Sequence, residues 1–512
     1  MMSSVWFGTG KLKNMNAYLT PFVTEVKELL KNGFTYTLNG QTYKKRVFTL
    51  MVVCDSVARP LVQCTTQFNG NYGCGLCLYP GESIEKGQGF ARVYPVINGE
   101  FFGEGLRSHE QTLIHTEEKT QEKKKRIKRK SILCDIPNYD IIKNLDVDWM
   151  HCVALGVSRQ FANLWFDSKN SGEAFYFGDK IDQVDSYIHS LSPTSDFSRI
   201  PRGLKDRVHM KAHELFVEHW ALLVEGISIL TKKSIMKSEI VYADKCLKEF
   251  IVGVESLYGK MYLSFNVHLL VHLAISVENW GPLFTHSAFI YEDFNQIIEN
   301  SIKSLNGVSI QICDSFRLKC VIDRLRNICQ NDLNNKQNQF LNRLLNKKSR
   351  PISNLQLGDC KVLGKPVILS NLKKIYSLAL RRLNVDFHTS TVIYSFKRCI
   401  INQVTSKTYN REKKRSNCTV ILKNGQIFGI ENLIGLRQSD NTSSYLIGRY
   451  YVLKNKSLIR DRKLDHLIPL AEKLKIITAV ESDMVVQKVM IIKLDDNHCV
   501  VYAHSCSSEM LS

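Results

Sequence analysis

The sequence lacks the segments that mark membrane-bound and exported proteins. No apolar run in its 512 residues approaches the length of about 18 that a membrane helix needs, so no membrane partner is expected. The first residues, MMSSVWFGTGKLKN, have no basic start followed by an apolar core and do not predict a signal peptide. Fifteen cysteines without an export signal then indicate a reducing compartment, with free thiols or metal ligands in place of disulfides.

Acidic residues are few relative to basic ones. The 69 lysines and arginines exceed the 49 acidic residues, which leaves a net charge of +20. This excess favours a polyanionic partner, most simply nucleic acid, over a surplus that only keeps the protein soluble. The run KTQEKKKRIKRK at 119–130 predicts a phosphate-binding patch or a nuclear-import signal, or else a solvated loop. Its predicted nucleic-acid-binding residues are Lys123, Lys124, Lys125, Arg126, Lys128, Arg129 and Lys130.

Internal repeats are also missing, and the 44% hydrophobic and 10% aromatic content is typical of a globular protein. A chain of this length predicts roughly two to four domains. The hydrophobic patterns predict a fold of class α/β plus α that closes with a small all-β domain. The expected segments are residues 1–68, a Gly-rich region with a basic loop at 69–130, a mainly helical block at 131–350, and the all-β domain at 380–512.

One strand in the first segment ends on an acid. After a hairpin-like segment with its turn at Asn39-Gly40, the run Phe48–Cys54 predicts a buried strand, and Asp55 follows it directly. An acid at the exit of a buried strand is a common position for a metal ligand. It is also a common turn or capping residue. Asp55 is therefore a candidate ligand for a divalent cation, with a structural role as the alternative.

A single CxxC follows, at Cys74 and Cys77, with no second pair to complete it. The spacing is that of a zinc knuckle, which needs two further ligands. His109 is the nearest histidine downstream; His115, His151 and Cys152 are also candidates, and two free thiols are the alternative to a metal site.

Two further patterns lie in the helical block. His268 and His272 are four residues apart and share a helix face, but Leu269 stands where a zinc protease has glutamate, so we interpret them as structural histidines. Glu292 lies within an apolar helical stripe, where an acid normally faces solvent. Asp148 is placed to cap the helix that follows it.

Short segments spread over residues 5–310 carry a family resemblance. They are WFG at 6–8, NMNAYL at 14–19, VVCDSVARP at 52–60, FNGNYGCGLCLYPGE at 68–82, RSHEQT at 107–112, DWMHCVALGV at 148–157, IPRGL at 200–204, KAHEL at 211–215, NVHLLVHL at 266–273, WGPLF at 280–284 and YEDFN at 291–295. Together and in this order they resemble the transposases of CACTA (En/Spm-type) elements in the form found in invertebrate genomes.

The resemblance implies an RNase H-like core interrupted by a helical insertion. Such enzymes cut and rejoin DNA with Mg²⁺ or Mn²⁺ held by a DDE triad. Residues 1–68 would then be part of the core, and 131–350 the insertion and the return to the core. By position, Asp55 resembles the second acid and Glu292 the third.

The resemblance also implies a zinc element. Cys74 and Cys77 match the CxxC of the family, with His109 as the favoured histidine and with Asp148 and His151 as a second pair.

The first acid of the triad has no counterpart, because no aspartate precedes Asp55. A two-metal site without one bridging carboxylate binds its second ion poorly. We therefore expect a truncated or domesticated transposase derivative that binds DNA in the nucleus and is catalytically incomplete. The alternatives are a non-catalytic DNA- or chromatin-binding protein and an interaction scaffold that uses the β domain. Homo-oligomerisation is left open.

Overall fold

The computed structural model describes residues 12, 14–38, 40–117, 124–195, 219–329, 334, 336–337, 340, 352–385, 391–408, 416–438, 441–454, 469–494 and 498–502. The chain divides into two compact units. The first comprises residues 1–181 and 204–324, and the second comprises 182–203 and 325–512. Together they form a mixed α/β protein. No helix in the described part of the chain is both long and apolar enough to span a membrane.

The first unit is mainly helical. Its helices are α1 (Met15–Asn32), α2 (Ala58–Gln63), α3 (His109–Glu117), α4 (Arg159–Phe166), α6 (Trp220–Leu230), α7 (Lys237–Tyr258), α8 (Phe265–Leu269), α9 (Leu273–Trp280), α10 (Phe289–Ser301) and α11 (Val308–Cys329), the last of which extends past residue 324. The α1 helix begins where the Asn14 side chain accepts a hydrogen bond from the Ala17 backbone N–H at 3.3 Å. It ends before Gly33, as the Asn-Gly signal in the sequence indicates.

Within the residues that the structure describes, the first unit has three separate strand pairs. They are β1 (Phe34–Leu38) with β2 (Gln41–Lys45), β3 (Val52–Cys54) with β6 (Leu145–Val147), and β4 (Glu82–Lys86) with β5 (Gly89–Val93). The first pair confirms the predicted hairpin. The β3–β6 pair is parallel, with Val52 opposite Leu145 and Cys54 opposite Val147. The residues that directly follow these two strands therefore lie at the same edge.

The prediction of a buried strand over Phe48–Cys54 is only partly right. The strand has three residues, each half-buried, whereas Phe48 and Leu50 are 58% and 67% exposed. The apolar run is therefore not buried along its whole length, and only its last three residues, Val52–Cys54, pair with β6.

Aromatic side chains form the core of the helical part. Phe161 and Trp165 of α4 pack against Trp220 of α6, with ring centroids 5.2 Å apart in both pairs. Phe250 of α7 closes the cluster at 5.5 Å from Trp220. Burying four such rings supplies a large part of the apolar stabilisation of this unit. The core in turn positions α8 and α9, which follow α7 in the chain.

The second unit is β-rich. Its strands are β7 (Ile352–Leu357), β8 (Cys360–Leu363), β9 (Val367–Leu369), β10 (Val392–Phe396), β11 (Arg398–Ile401), β12 (Val404–Lys407), β13 (Thr419–Leu422), β14 (Ile427–Gln438), β15 (Asn441–Leu453), β16 (Leu470–Lys473), β17 (Thr478–Glu481), β18 (Val485–Lys488), β19 (Met490–Lys493) and β20 (His498–Tyr502). A small antiparallel sheet has the order β12-β11-β8-β7, and a larger one is centred on β14 and β15.

Helices belong to this unit as well. The α5 helix (Ile181–Ser190) begins at its boundary, and α12 (Lys374–Arg381) lies between β9 and β10. Ala379 and Leu380 of α12 are buried in one cluster with Ile434 and Ile447 of the larger sheet. The strands also begin at Ile352, ahead of residue 380.

Candidate metal centre

Four metal-binding side chains meet inside the first unit. Cys74, Cys77, His268 and His272 place their ligand atoms within 4.8 Å of one another. The Cys74 Sγ lies 3.5 Å from His272 Nε2, and the Cys77 Sγ lies 3.3 Å from His268 Nε2. Both cysteines are fully buried and both histidines are 3% exposed. Two sulfurs and two nitrogens thus face a common point away from water.

The thiol loop is held by close backbone contacts. A side chain at Gly75, between the two cysteines, would meet Gln63 Oε1 at 1.9 Å, and one at Gly73 would meet the Gln67 carbonyl oxygen at 2.4 Å. Gln63 also donates from Nε2 to the Gly75 carbonyl oxygen at 3.2 Å. Only glycine permits this approach, so the loop conformation follows from the residues around the cysteines.

The two histidines come from a break between helices. Ser264 caps α8, which ends at Leu269, and a 3₁₀ turn over Leu270–His272 leads into α9. The four-residue spacing puts both imidazoles on one face. Aromatic rings fix their planes: Tyr94 stacks on His268 with centroids 4.7 Å apart, and Phe102 lies 5.4 Å from His272.

The two thiols of the cluster have opposite pKa shifts: burial, with the hydrogen bond and charge of Cys74, raises the pKa of Cys77 well above the usual thiol value. Burial opposes ionisation of Cys74, but the neighbouring Cys77 thiol and the His272 and His268 imidazoles lower its pKa well below the usual thiol value. Burial lowers the pKa of His272 despite the nearby thiol, so its imidazole stays neutral. A thiolate and a neutral imidazole are the forms that coordinate zinc.

The donor set fits zinc. A tetrahedral ion with Zn–S of about 2.3 Å and Zn–N of about 2.0 Å requires sulfur and nitrogen about 3.5 Å apart. The two measured S···N distances, 3.5 and 3.3 Å, match this value. Two thiolates and two imidazoles are a structural zinc set, closed to water and substrate. The cluster therefore supports the prediction of zinc at the CxxC.

The predicted third ligand was wrong. His109 is outside the cluster, and its Nδ1 accepts a hydrogen bond from the Ile141 backbone N–H at 3.2 Å. The two ligands that complete the cluster are His268 and His272, which the sequence predicts to be structural histidines. These two lie about two hundred residues from the cysteines, and only the fold brings them together.

Arg107 secures the thiol loop from behind. Its side chain is 6% exposed, and its Nε donates to the carbonyl oxygens of Cys74 at 3.0 Å and Cys77 at 3.1 Å. Its Nη2 donates to the carbonyl oxygens of Tyr72 and Lys125, both at 3.1 Å. One buried guanidinium thus ties the metal loop to the basic segment at residues 125–130.

The basic segment is ordered next to this loop. The Lys125 Nζ lies 2.5 Å from Glu104 and 4.8 Å from the ring centre of Tyr72. The Lys130 Nζ lies 2.9 Å from Asp135. Arg126, Lys128 and Arg129 are exposed. Lys123 lies outside the described residues, and the side-chain surroundings of Lys124 are likewise outside them.

A second group of predicted residues lies at the edge formed by β3 and β6. Asp55 follows β3 and Asp148 follows β6. Asp55 Oδ1 accepts hydrogen bonds from the backbone N–H groups of Val57 at 3.0 Å and Ala58 at 2.6 Å. Asp55 therefore serves as the turn and capping residue that the sequence offered as the structural alternative.

Asp148 is engaged on both oxygens. Its Oδ1 accepts from the Ala288 N–H at 2.9 Å, and its Oδ2 accepts from the backbone N–H of His151 at 3.1 Å and from the His151 imidazole. It caps the helical stretch that begins at Met150, as predicted, although the first part over Met150–Ser158 is a π-helix. The bond from Ala288 fixes the start of α10, which carries Glu292.

His151 connects the acids of this edge. Its Nδ1 faces Asp148, and its Nε2 lies 3.7 Å from Glu292 Oε1. The hydrogen bond to Asp148 is the main cause that raises the pKa of His151, and the charges of Asp55 and Glu292 raise it further. The predicted pair Asp148 and His151 and the predicted acids Asp55 and Glu292 thus form one neighbourhood, which we call the acidic edge.

The acidic edge does not fit a divalent cation as arranged. In the described part of the chain, the Cys/His cluster is the one set of three or more such ligands that closes around a point. The oxygens of Asp148 already accept backbone and imidazole hydrogens, and Asp55 caps α2. Mg²⁺ and Mn²⁺ prefer carboxylate oxygens and waters in near-octahedral geometry, and in this arrangement the described acids of the edge do not gather around one point.

Comparison with known proteins finds no family model that matches this chain, no curated relative and no similar solved structure. The inferences about its function therefore depend on its own residues.

A combined sequence signal for the metal centre did exist. A CxxC and an HxxxH each supply two ligands, and together they complete a C₂H₂ donor set. Neither pair alone identifies a metal site, because two thiols or two histidines are each common without a metal. The distance of 191 residues between Cys77 and His268 hid the connection.

Proposed function

We propose that the chain is a transposase-derived DNA-binding protein whose first unit is stabilised by a structural zinc ion and whose catalytic site is incomplete. On the resemblance to CACTA transposases, residues 1–68 would form part of an RNase H-like core. The single observation that carries the proposal is the link from the Cys/His cluster through Arg107 to the basic segment at 125–130.

The link gives zinc a role in DNA binding. A backbone that holds several exposed cations in one arrangement lets them contact phosphates together and fixes the register of the protein on DNA. The carbonyl of Lys125 is held by Arg107, the carbonyl of Arg126 accepts from Thr66 N at 3.0 Å, and the N–H of Lys128 donates to the Cys64 carbonyl at 2.8 Å. The zinc loop and its neighbours therefore form the platform on which Arg126, Lys128 and Arg129 are displayed.

The hydrogen bonds at the acidic edge favour the non-catalytic form of this function. Adjacent parallel strands that each end in an acid, with a helix bearing a third acid nearby, agree with descent from an RNase H-like enzyme. Asp55 Oδ1 holds the backbone at the start of α2, and Asp148 Oδ1 holds the backbone at the start of α10. A domesticated DNA- or chromatin-binding protein needs nothing more from them.

Fluorescence anisotropy with a labelled duplex tests the proposal. Binding should persist with Mg²⁺ omitted, weaken steeply with rising salt, and fall when a zinc chelator is added. The slope of log K against log salt should lose about 0.9 for each phosphate contact removed. Replacing the five lysines and arginines at 125–130 with glutamine should therefore flatten this slope.

The matched control removes the same charge from the second unit. Five lysines there, changed to glutamine, should leave the slope closer to that of the wild type: Lys361, Lys365, Lys373, Lys374 and Lys397. If the slope falls equally in both variants, net charge alone and not the cations at 125–130 determines the salt dependence. Cleavage of the duplex with Mn²⁺ that disappears in Asp55→Ala would overturn the assignment of an incomplete site.

Nuclear localisation belongs to the same proposal and rests on the basic run at 119–130. A fluorescent reporter fused to residues 115–135 should accumulate in the nucleus, and one that stays cytoplasmic would contradict it.

A further inference from the structure

The β1–β2 hairpin is a separate surface of the first unit. It pairs with no other strand in the described residues, every residue of β1 is exposed, and β2 is exposed apart from the half-buried Tyr43. A two-stranded hairpin without a covering layer is marginally stable in water. It joins α1 at Gly33, whose added side chain would meet the Lys45 carbonyl oxygen at 2.5 Å. The hairpin thus projects from the end of α1.

One face of the hairpin carries a row of aromatic rings. Tyr36 and Tyr43 are directly opposite each other, and Phe34 is two residues before Tyr36 on the same face. Their planes are nearly parallel, with centroids 5.8 Å apart for Phe34 and Tyr36 and 5.3 Å apart for Tyr36 and Tyr43. Phe34 remains 43% exposed and Tyr36 38%. The opposite face carries Thr35, Thr37, Thr42 and Lys44.

Cations lie beside one end of this aromatic row. Lys45 is opposite Phe34 in the register and Arg46 follows it in the chain, whereas Lys44 lies on the opposite face. Residues 24–46 hold five lysines and arginines against two glutamates, Glu25 and Glu28. Beside the hairpin, an open pocket of about 630 Å³ is lined by Lys27, Lys31 and Arg46 among others. Glu28 also lines it, but accepts a hydrogen bond from Asn32 at 2.5 Å.

We propose that this aromatic and basic hairpin binds single-stranded DNA, with bases stacked against the rings and phosphates along Lys45, Arg46 and the pocket. Parallel exposed rings next to a track of cations are the two elements of a single-strand site, because every base has a π-face and every linkage has a charge. Bases in a duplex stack on one another and cannot reach the rings. The inference deepens the proposed function, since a protein descended from a DNA-cutting enzyme meets unpaired strand ends.

The positive flank decides against a purely apolar partner. A protein partner would match the aromatic rings, but the cations of the hairpin and the pocket would be buried against it without an anionic counterpart. A nucleic acid satisfies both, because its bases match the rings and its phosphates match the cations.

The test compares two triple variants of the full chain loaded with zinc. The first replaces Phe34, Tyr36 and Tyr43 with alanine; the second replaces Thr35, Thr37 and Thr42 with alanine on the opposite face. Anisotropy is measured with labelled oligothymidine, the matching RNA oligomer and a duplex at moderate salt. The aromatic variant should lose at least about tenfold in affinity for oligothymidine, and the threonine variant should bind nearly as the wild type. Equal circular dichroism and zinc content confirm that both variants are folded.

The measurements distinguish failure of the hairpin assignment from failure of the proposed function. If the aromatic and threonine variants bind oligothymidine equally while duplex binding persists, the hairpin assignment is overturned and the proposed function stands. Tighter binding of the RNA oligomer would move the occupant to RNA and overturn the DNA assignment. If no nucleic acid binds, both inferences fail.

Discussion

At the scale of single residues, a buried carboxylate in β6 forms an ion pair with a buried imidazole. Asp146, the middle residue of β6, is 5% exposed, and its Oδ2 accepts from Ser276 Oγ at 2.5 Å and lies 2.8 Å from His286 Nδ1. Burial alone would lower the pKa of His286, but the Asp146 carboxylate and the Gly281 carbonyl outweigh it and raise the pKa. The imidazolium form therefore persists to higher pH in the folded protein than in the unfolded chain.

This pairing predicts a pH-dependent contribution to stability. A histidine whose pKa is raised by folding stabilises the fold fully below its ordinary value of about 6.5. That contribution is lost as the pH rises through the folded pKa, which lies above 6.5. The difference in free energy of unfolding between wild type and His286→Gln should therefore shrink as the pH is raised above about 6.5, as measured by urea denaturation at a series of pH values.

The control for this prediction is the same substitution in an Asp146→Asn background. Without the carboxylate, burial is opposed mainly by the Gly281 carbonyl, so the cost of His286→Gln should fall less with rising pH than it does in the wild-type background. A difference that stays constant with pH in the wild-type background would contradict the pairing.

At the scale of elements, the metal loop depends on small residues at its base. A Cβ on Gly73 would lie 2.4 Å from the Gln67 carbonyl oxygen and 2.7 Å from the Phe68 Cα, both backbone atoms that cannot rotate away. Gly73→Ala should therefore lower the free energy of unfolding by about 1–3 kcal/mol and weaken zinc retention. Urea denaturation and the zinc-to-protein ratio after dialysis measure the two effects.

Gly172→Ala is the matched control, because a side chain there would meet no atom within 4 Å. It should change stability by no more than about 0.5 kcal/mol. Equal effects of the two substitutions would mean that the loop adjusts without cost.

At the scale of the whole molecule, the metal centre belongs to one unit. All four ligands lie within residues 1–181 and 204–324. A metal that binds only the folded state stabilises it by mass action, by about 4 kcal/mol at a thousand times its dissociation constant. In calorimetry, zinc removal or Cys74→Ser should therefore lower the unfolding temperature of the first unit and leave that of the β-rich unit unchanged. Cys313→Ser, at an exposed thiol outside the cluster, should change the unfolding temperature of neither unit. Two transitions that move together would contradict this independence.

Local signals in the sequence predicted the elements well where the pattern and the structure share a cause. The β1–β2 hairpin and the cap at Asp148 follow from an Asn-Gly turn and from a side-chain oxygen placed before a helix. The strand before Asp55 was overestimated, because β-favouring residues such as Phe48 and Leu50 are equally compatible with an exposed segment.

What the sequence determined by itself was the chemistry available: two thiols in a knuckle, acids at strand ends, a surplus of positive charge and rings in a hairpin. Only the tertiary structure decided which of these groups meet. It joined Cys74 and Cys77 to His268 and His272, and it left His109 elsewhere. It also gave the oxygens of Asp55 and Asp148 to backbone N–H groups. Spacing in the chain encodes local geometry, whereas a metal site is defined by distances in space that packing alone sets.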